Sequence, residues 1–177
     1  PVRSATQKAV ALARTAGCLL SFDPNLRPPL WNSLEQAREQ INWGLGQCDI
    51  AKISDDELLF LTGETDFDDG AAKLIAQFPN LQLVNVTAGA QGSISYYQGL
   101  RVFQPGLSLG GVIETTGAGD TFCACVLNFL LEHGLEHLTS QDLSQMLRFA
   151  NAAAYLVTTR RGAIRSMPEP EQILALL

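Results

Sequence analysis

In the stretch ETTGAGDTF, residues 114 to 122, two threonines, two glycines and a carboxylate stand immediately ahead of a long apolar run. Gly117, Ala118 and Gly119 would open a helix with little side-chain bulk, so consecutive backbone N–H groups can approach an anion closely. Thr115 and Thr116 add hydroxyls. Asp120 falls in the first turn, beside the place an anion would occupy, where a carboxylate suits taking a proton from a nucleophile. These are the parts of phosphoryl transfer: a base for the attacking hydroxyl and an N–H nest for the charge on the transferred group. The same residues also serve a plain helix start, with Thr116 as cap and Asp120 complementing the dipole. A Gly-x-Gly opening alone does not separate the two.

The elements that would hold this motif alternate. A helix over 4–16 leads to the apolar run CLLSFD (18–23) and the turn PNLRPP. A helix starting at Ser33 follows, then the strand DIAKIS. SDDELLFLTG reads as a helix with Ser54 at its start and Gly63 at its stop. DGAAKLIAQF is helical, LQLVNVTAG a strand, and SISYYQG with LRVFQPG a hairpin turning at Gln98-Gly99. Helices over about 117–133 and 140–157, the loop TTRRGAIRSMP and a short terminal helix close the chain. Strands alternating with helices predict an α/β fold, a doubly wound parallel sheet with helices on both faces, in one domain over residues 1–177. Ligands of such sheets sit beyond the carboxyl ends of the strands, where helix N-termini also point.

Composition sets outer limits. With 46% hydrophobic and 17% charged residues in 177, the chain is globular and long enough for a real core. Twelve basic against eighteen acidic side chains give a net charge of -6 and no basic footprint for nucleic acid or an anionic membrane. No apolar run reaches a membrane span, and the first residues pattern as an amphipathic helix rather than a secretion signal, so a cytosolic protein is expected. Cys18, Cys48, Cys123 and Cys125 form no CxxC pair and read as buried free thiols. His133 and His137 are spaced i,i+4, but Gly134 between them points to a surface loop rather than a metal site.

Other polar residues stay open between two roles. Arg27, with Asn25, follows the strand ending at Asp23, where a guanidinium could fork onto a phosphate or pair with Asp23 across the proline turn. Lys52 ends the next strand and could face the same phosphates or only water. Glu57, taken alone, reads as a solvated helix carboxylate.

Five segments occur in order: SFDPNLRPPLW, KISDDELLFLTG, VTAGAQG, TTGAGDTF and NAAAYLVTTRRGAIRSMP. Together they resemble the ribokinase-like (PfkB) family of carbohydrate kinases, its fructokinases most of all. The resemblance implies that Asp120 is the catalytic base and that Gly117, Ala118 and Gly119 form the anion hole. Thr87, Gly89 and Gly92 would lie along ATP, with Thr116 beside them and Asn151 on one wall of the adenine pocket. Asn25 and Arg27 would face the phosphoryl and substrate side. Glu57 matches the acidic residue of an NxxE motif that organises Mg²⁺ through water, with Ser54 where that motif has Asn. A monovalent cation, K⁺ in relatives, would be held near Glu114, Thr116, Val157, Arg160, Gly162 and Ser166; Glu114 stands where the family usually has Asp.

The resemblance begins only in the middle of the family's chains. It implies a C-terminal portion lacking the N-terminal strands and the β lid that covers the sugar. An open sheet edge then predicts a homodimer or a complementing chain. Three functions are open: ATP-dependent phosphorylation of D-fructose to fructose 6-phosphate, the same chemistry on 2-keto-3-deoxygluconate or a nucleoside, and nucleotide binding without catalysis.

Overall fold

The computed structural model describes residues 1–177, which divide into two compact units, Pro1–Val86 and Thr87–Leu177. The first unit carries α1 (Val2–Thr15), β1 (Ser21–Phe22), α2 (Leu34–Leu45), β2 (Ile50–Ser54), α3 (Asp55–Thr62), α4 (Phe67–Gln77) and β3 (Leu83–Thr87), whose last residue crosses the boundary. Its strands run in the order β1-β2-β3, and β1 pairs with β2 in parallel. The first four residues of β2 and of β3 are buried on both faces, as parallel strands with covered faces must be.

Local chemistry explains the boundaries. Ser33 caps α2 by accepting the Gln36 N–H, and Ser54 with Glu57 forms a reciprocal capping box at α3, which stops at Gly63 in the left-handed region (φ 76°). Asp66 caps α4 through the amides of Asp68 and Asp69. Only Ser21 and Phe22 of the apolar run 18–23 are strand. Gly17 turns the chain at φ 72° just before the run, and Pro24 follows it with no N–H for a ladder. No residue of α1 is buried, and Val2, Leu12 and Leu19 are exposed.

The second unit holds the antiparallel hairpin β4 (Gly92–Tyr97) and β5 (Leu100–Pro105), then α5 (Ala118–His133), α6 (Ser140–Thr158) and α7 (Pro170–Leu174). Gln98 and Gly99 both take positive φ (46° and 82°), the twist that a two-residue hairpin turn demands. β5 alternates between half-buried and exposed residues, so one face meets water. The core gathers around α6, which packs against α5, both hairpin strands and α7. Its Leu143, Leu147, Ala150, Ala152, Ala153 and Val157 are completely buried.

Candidate functional site

In the first unit, the register that sets Ser21 opposite Ile50 and Phe22 opposite Ala51 brings Asp23 opposite Lys52 at the strands' carboxyl ends. Lys52 Nζ lies 3.3 Å from Asp23 Oδ2. Burial pushes the Asp23 carboxyl above its ordinary range, against the pull of Lys52 and with the help of the Glu57 charge. Of the two roles open to Arg27, the pair with Asp23 does not form: Lys52 takes that carboxylate, and the exposed Arg27 Nη1 donates to the Leu26 carbonyl at 3.1 Å. Nor is Glu57 solvated. It is 6% exposed, and its two oxygens accept from Leu26 N (2.7 Å) and Ser54 N (2.8 Å). Asn25, between these residues, sits at φ 47°.

In the second unit a cavity of about 280 Å³ is walled by Thr87, Gly89 and Gly92 at one end, Ala118 and Gly119 at the start of α5, and Asn151 of α6. Six residues assigned from the sequence to nucleotide or anion are therefore neighbours in one cavity. Each has a local reason to be there. Gly92 has φ 114°, and a Cβ on it would lie 2.1 Å from the Gln104 carbonyl oxygen. Only glycine fits. Asn151 lines the cavity yet spends its amide inside the protein: Oδ1 accepts from Ser93 Oγ (2.8 Å), and Nδ2 donates to the carbonyls of Gln104 (3.1 Å) and Pro105 (3.2 Å).

Gly117 begins α5 in the left-handed region at φ 84°, with a hypothetical Cβ meeting Ala163 at 3.4 Å. The Ala118 amide bonds Thr115 O and the Thr121 amide bonds Gly117 O, while those of Gly119 and Asp120 have no acceptor among the turn's carbonyls. These two free amides and the helix dipole suit an anion, and Gly119 lines the cavity. Asp120 is exposed in that first turn and Thr116 is exposed just before it.

Among the residues expected around a monovalent cation, three form one hydrogen-bonded set. Glu114 Oε1 accepts from Gly162 N (3.0 Å), and Ser166 Oγ donates to the carbonyls of Gly162 (2.5 Å) and Ala163 (2.8 Å). The Val157 carbonyl accepts from Arg160 N (3.3 Å), and the Arg160 guanidinium turns to Gln172 (3.3 Å). The loop closes on these bonds. Glu57 is committed to backbone amides, and no three His, Cys, Asp or Glu side chains converge.

Tyr155 and Thr158 also wall the cavity and were not singled out from sequence. They lie four and seven residues beyond Asn151, so helical spacing alone could have found them. Tyr155 Oη donates to Gly110 O at 2.6 Å, and the Thr158 carbonyl accepts from the amides of Ile113 and Glu114, tying down the loop that leads into the motif. All four cysteines are free thiols, but only Cys48 is buried, and Cys18 is exposed; burial pushes Cys48 up to about 12 and Cys125 up to about 11. His133 stacks on Phe129 and bonds its carbonyl.

The model of the pfkB family of carbohydrate kinases matches residues 1–170. "Probable fructokinase-2" of Arabidopsis thaliana is 42% identical over the whole chain, which covers 53% of that relative. The chain thus spans about half the length of the curated relatives it matches. A double-mutant fructokinase of Vibrio cholerae O395, solved in a fructose, ADP and potassium ion bound form, superposes with a TM-score of 0.87 at 31% identity, over 100% of this chain and 56% of that one. Aminoimidazole riboside kinase of Salmonella enterica, complexed with aminoimidazole riboside and an ATP analog, gives 0.85 at 27% identity, over 99% and 57%.

Proposed function

Because the chain belongs to the pfkB family of carbohydrate kinases, we propose that it carries the nucleotide-binding and phosphoryl-transfer portion of an ATP-dependent sugar kinase of the fructokinase type. The observation that carries this reading is the single cavity joining Thr87, Gly89, Gly92 and Asn151 to the amide end of α5, with Asp120 in the adjoining turn.

In this reading ATP lies along Thr87, Gly89 and Gly92, with its base toward the α6 wall at Asn151 and Tyr155. The Asp120 carboxylate takes the proton of the sugar hydroxyl. That oxygen bonds the terminal phosphorus as the bond from phosphorus to the bridging oxygen breaks and ADP leaves. The amides at the start of α5 meet the charge on the transferred group, which backbone dipoles fixed in advance do without reorganisation. Mg²⁺ would come with the nucleotide, since the chain's own residues build no cage for it. D-fructose is the proposed acceptor, giving fructose 6-phosphate.

The family resemblance sets the sugar-covering part outside the portion that this chain spans. We further propose that another polypeptide segment, a second copy or a complementing chain, covers the free edge of β1 and α1, where Val2 and Leu12 meet water, together with the exposed Leu19 between them. No helix is long and apolar enough to cross a membrane, and four free thiols suit the reducing cytosol, the compartment we propose.

The test is ADP release from MgATP with D-fructose, aminoimidazole riboside or 2-keto-3-deoxygluconate, with and without K⁺, beside Asp120→Ala. Turnover that needs fructose and falls at least about 10²-fold in the variant is expected, since removing a base costs about 10²–10⁴. Fructose-dependent turnover that survives Asp120→Ala would refute the assignment of the base. Nucleotide binding with no sugar-dependent turnover would leave a nucleotide-binding portion only.

A further inference from the structure

We propose that Glu57 is a positioning residue, a latch that holds the turn Asp23–Arg27 against the start of α3. This inference rests on the kinase reading only for what the turn does, not for how it is held.

Glu57 ties together two backbone segments far apart in sequence. One carboxylate oxygen accepts from Ser54 N at 2.8 Å, closing the capping box of α3. The other accepts from Leu26 N at 2.7 Å, thirty-one residues away. A capping box needs only the first bond. The second is additional, and it falls on the residue after Asn25, whose φ of 47° is a conformation that an L-residue holds at a cost. A short charge-assisted bond to the next amide offsets that cost and fixes the direction in which the chain leaves toward Arg27.

The charges nearby agree. Burial and the Glu57 charge both push Asp23 up, while Lys52 at 3.3 Å opposes them. A second, buried carboxylate beside Asp23 needs partners for its oxygens, and the two backbone amides supply them. Glu57 is 6% exposed, so its carboxylate has little room for the water shell of an ion. The residue that the family resemblance sets beside Mg²⁺ therefore acts through Leu26 on the turn that carries Asp23 and Arg27.

Glu57→Gln keeps the size and one carbonyl oxygen but turns an NH₂ toward one of the two amides. Three readouts apply to the full 177-residue chain, after far-UV circular dichroism has established that the variant folds. The latch predicts that exchange of the Leu26 amide speeds up at least tenfold. It predicts that the free Mg²⁺ concentration giving half-maximal turnover moves by less than twofold while kcat falls. It also predicts that Glu57→Gln combined with Arg27→Ala is no worse than the more damaging single variant within twofold. Unchanged Leu26 exchange, or a tenfold rise in the Mg²⁺ midpoint, would overturn the proposal and return Glu57 to the metal. A wild-type chain without sugar-dependent turnover would reduce the kinase reading to nucleotide binding, and the exchange experiment would still decide the latch.

Discussion

Asn151 is the side chain whose removal should reveal most. Its amide makes three bonds: an acceptor bond from Ser93 Oγ and two donor bonds to the carbonyls of Gln104 and Pro105. Ser93 is 1% exposed and Asn151 8%, so Asn151→Ala orphans a hydroxyl and two carbonyls that water reaches poorly. Each orphaned buried group costs about 1–3 kcal/mol. Asn151 borders the cavity, so entering water would satisfy some of them, and a net loss of about 2–4 kcal/mol follows. With a urea slope of about 2 kcal/mol/M, the unfolding midpoint should fall by about 1–2 M.

Two intrinsic probes read the two units separately. Trp31 and Trp43 lie in the first unit, Tyr96, Tyr97 and Tyr155 in the second, so tryptophan emission and tyrosine near-ultraviolet dichroism each follow one of them. The tyrosine transition must move. Asn151→Asp should be worse at neutral pH, because an anionic oxygen would face both carbonyls, and its folded pKa would rise above the unfolded value of about 3.9. A group with a raised folded pKa gives its full contribution below the unfolded pKa and loses it as pH rises through the folded one. The gap to wild type should therefore widen upward from about pH 4. A tyrosine midpoint for Asn151→Ala within about 0.3 M of wild type would refute the claim that this amide pins α6 to the hairpin.

Gly92→Ala should leave the second unit unfolded or severely destabilised, because its methyl would meet the Gln104 carbonyl oxygen at 2.1 Å with φ at 114°; a variant with a wild-type thermal midpoint would refute the fit. Asp142 is held below the usual carboxylate range by its bonds to the Thr139 hydroxyl and amide. A depressed folded pKa gives stability that is present above the unfolded pKa and lost as pH falls through the folded one. Asp142→Asn should thus flatten the acid end of the stability–pH curve below about pH 4 and leave wild-type stability least matched near neutrality; an unchanged acid limb would count against the cap.

Local signals made much of the fold legible. Ser33, Ser54 and Gly63 mark helix ends because capping is decided within four residues, and Gln98-Gly99 marks a hairpin because its twist is decided within two. The short β1 was less legible: CLLSFD is apolar enough for a longer strand, but Gly17 and Pro24 confine the ladder to Ser21 and Phe22. In the candidate site, the glycines and Asp120 were visible as a motif, since approach to an anion selects for small residues at fixed spacing. The occupations of Glu57 and Asn151 were not. Their partners Leu26, Ser93 and Gln104 lie 31, 58 and 47 residues away, and no local pattern encodes which distant amide or carbonyl a side chain will meet. The choice between the two roles of Arg27 was hidden for the same reason, because strand register gave Asp23 to Lys52.

The hairpin's outer strand has a bearing on how the protein behaves at high concentration. β5 has no strand on its other side, and Phe103 lies 48% exposed at its middle, a combination that invites stacking into fibrils. Arg101 two residues before it and Pro105 two residues after it stand as gatekeepers, one by charge repulsion between approaching copies and one by withholding a ladder hydrogen bond. Replacing either would trade solubility for a sticky edge.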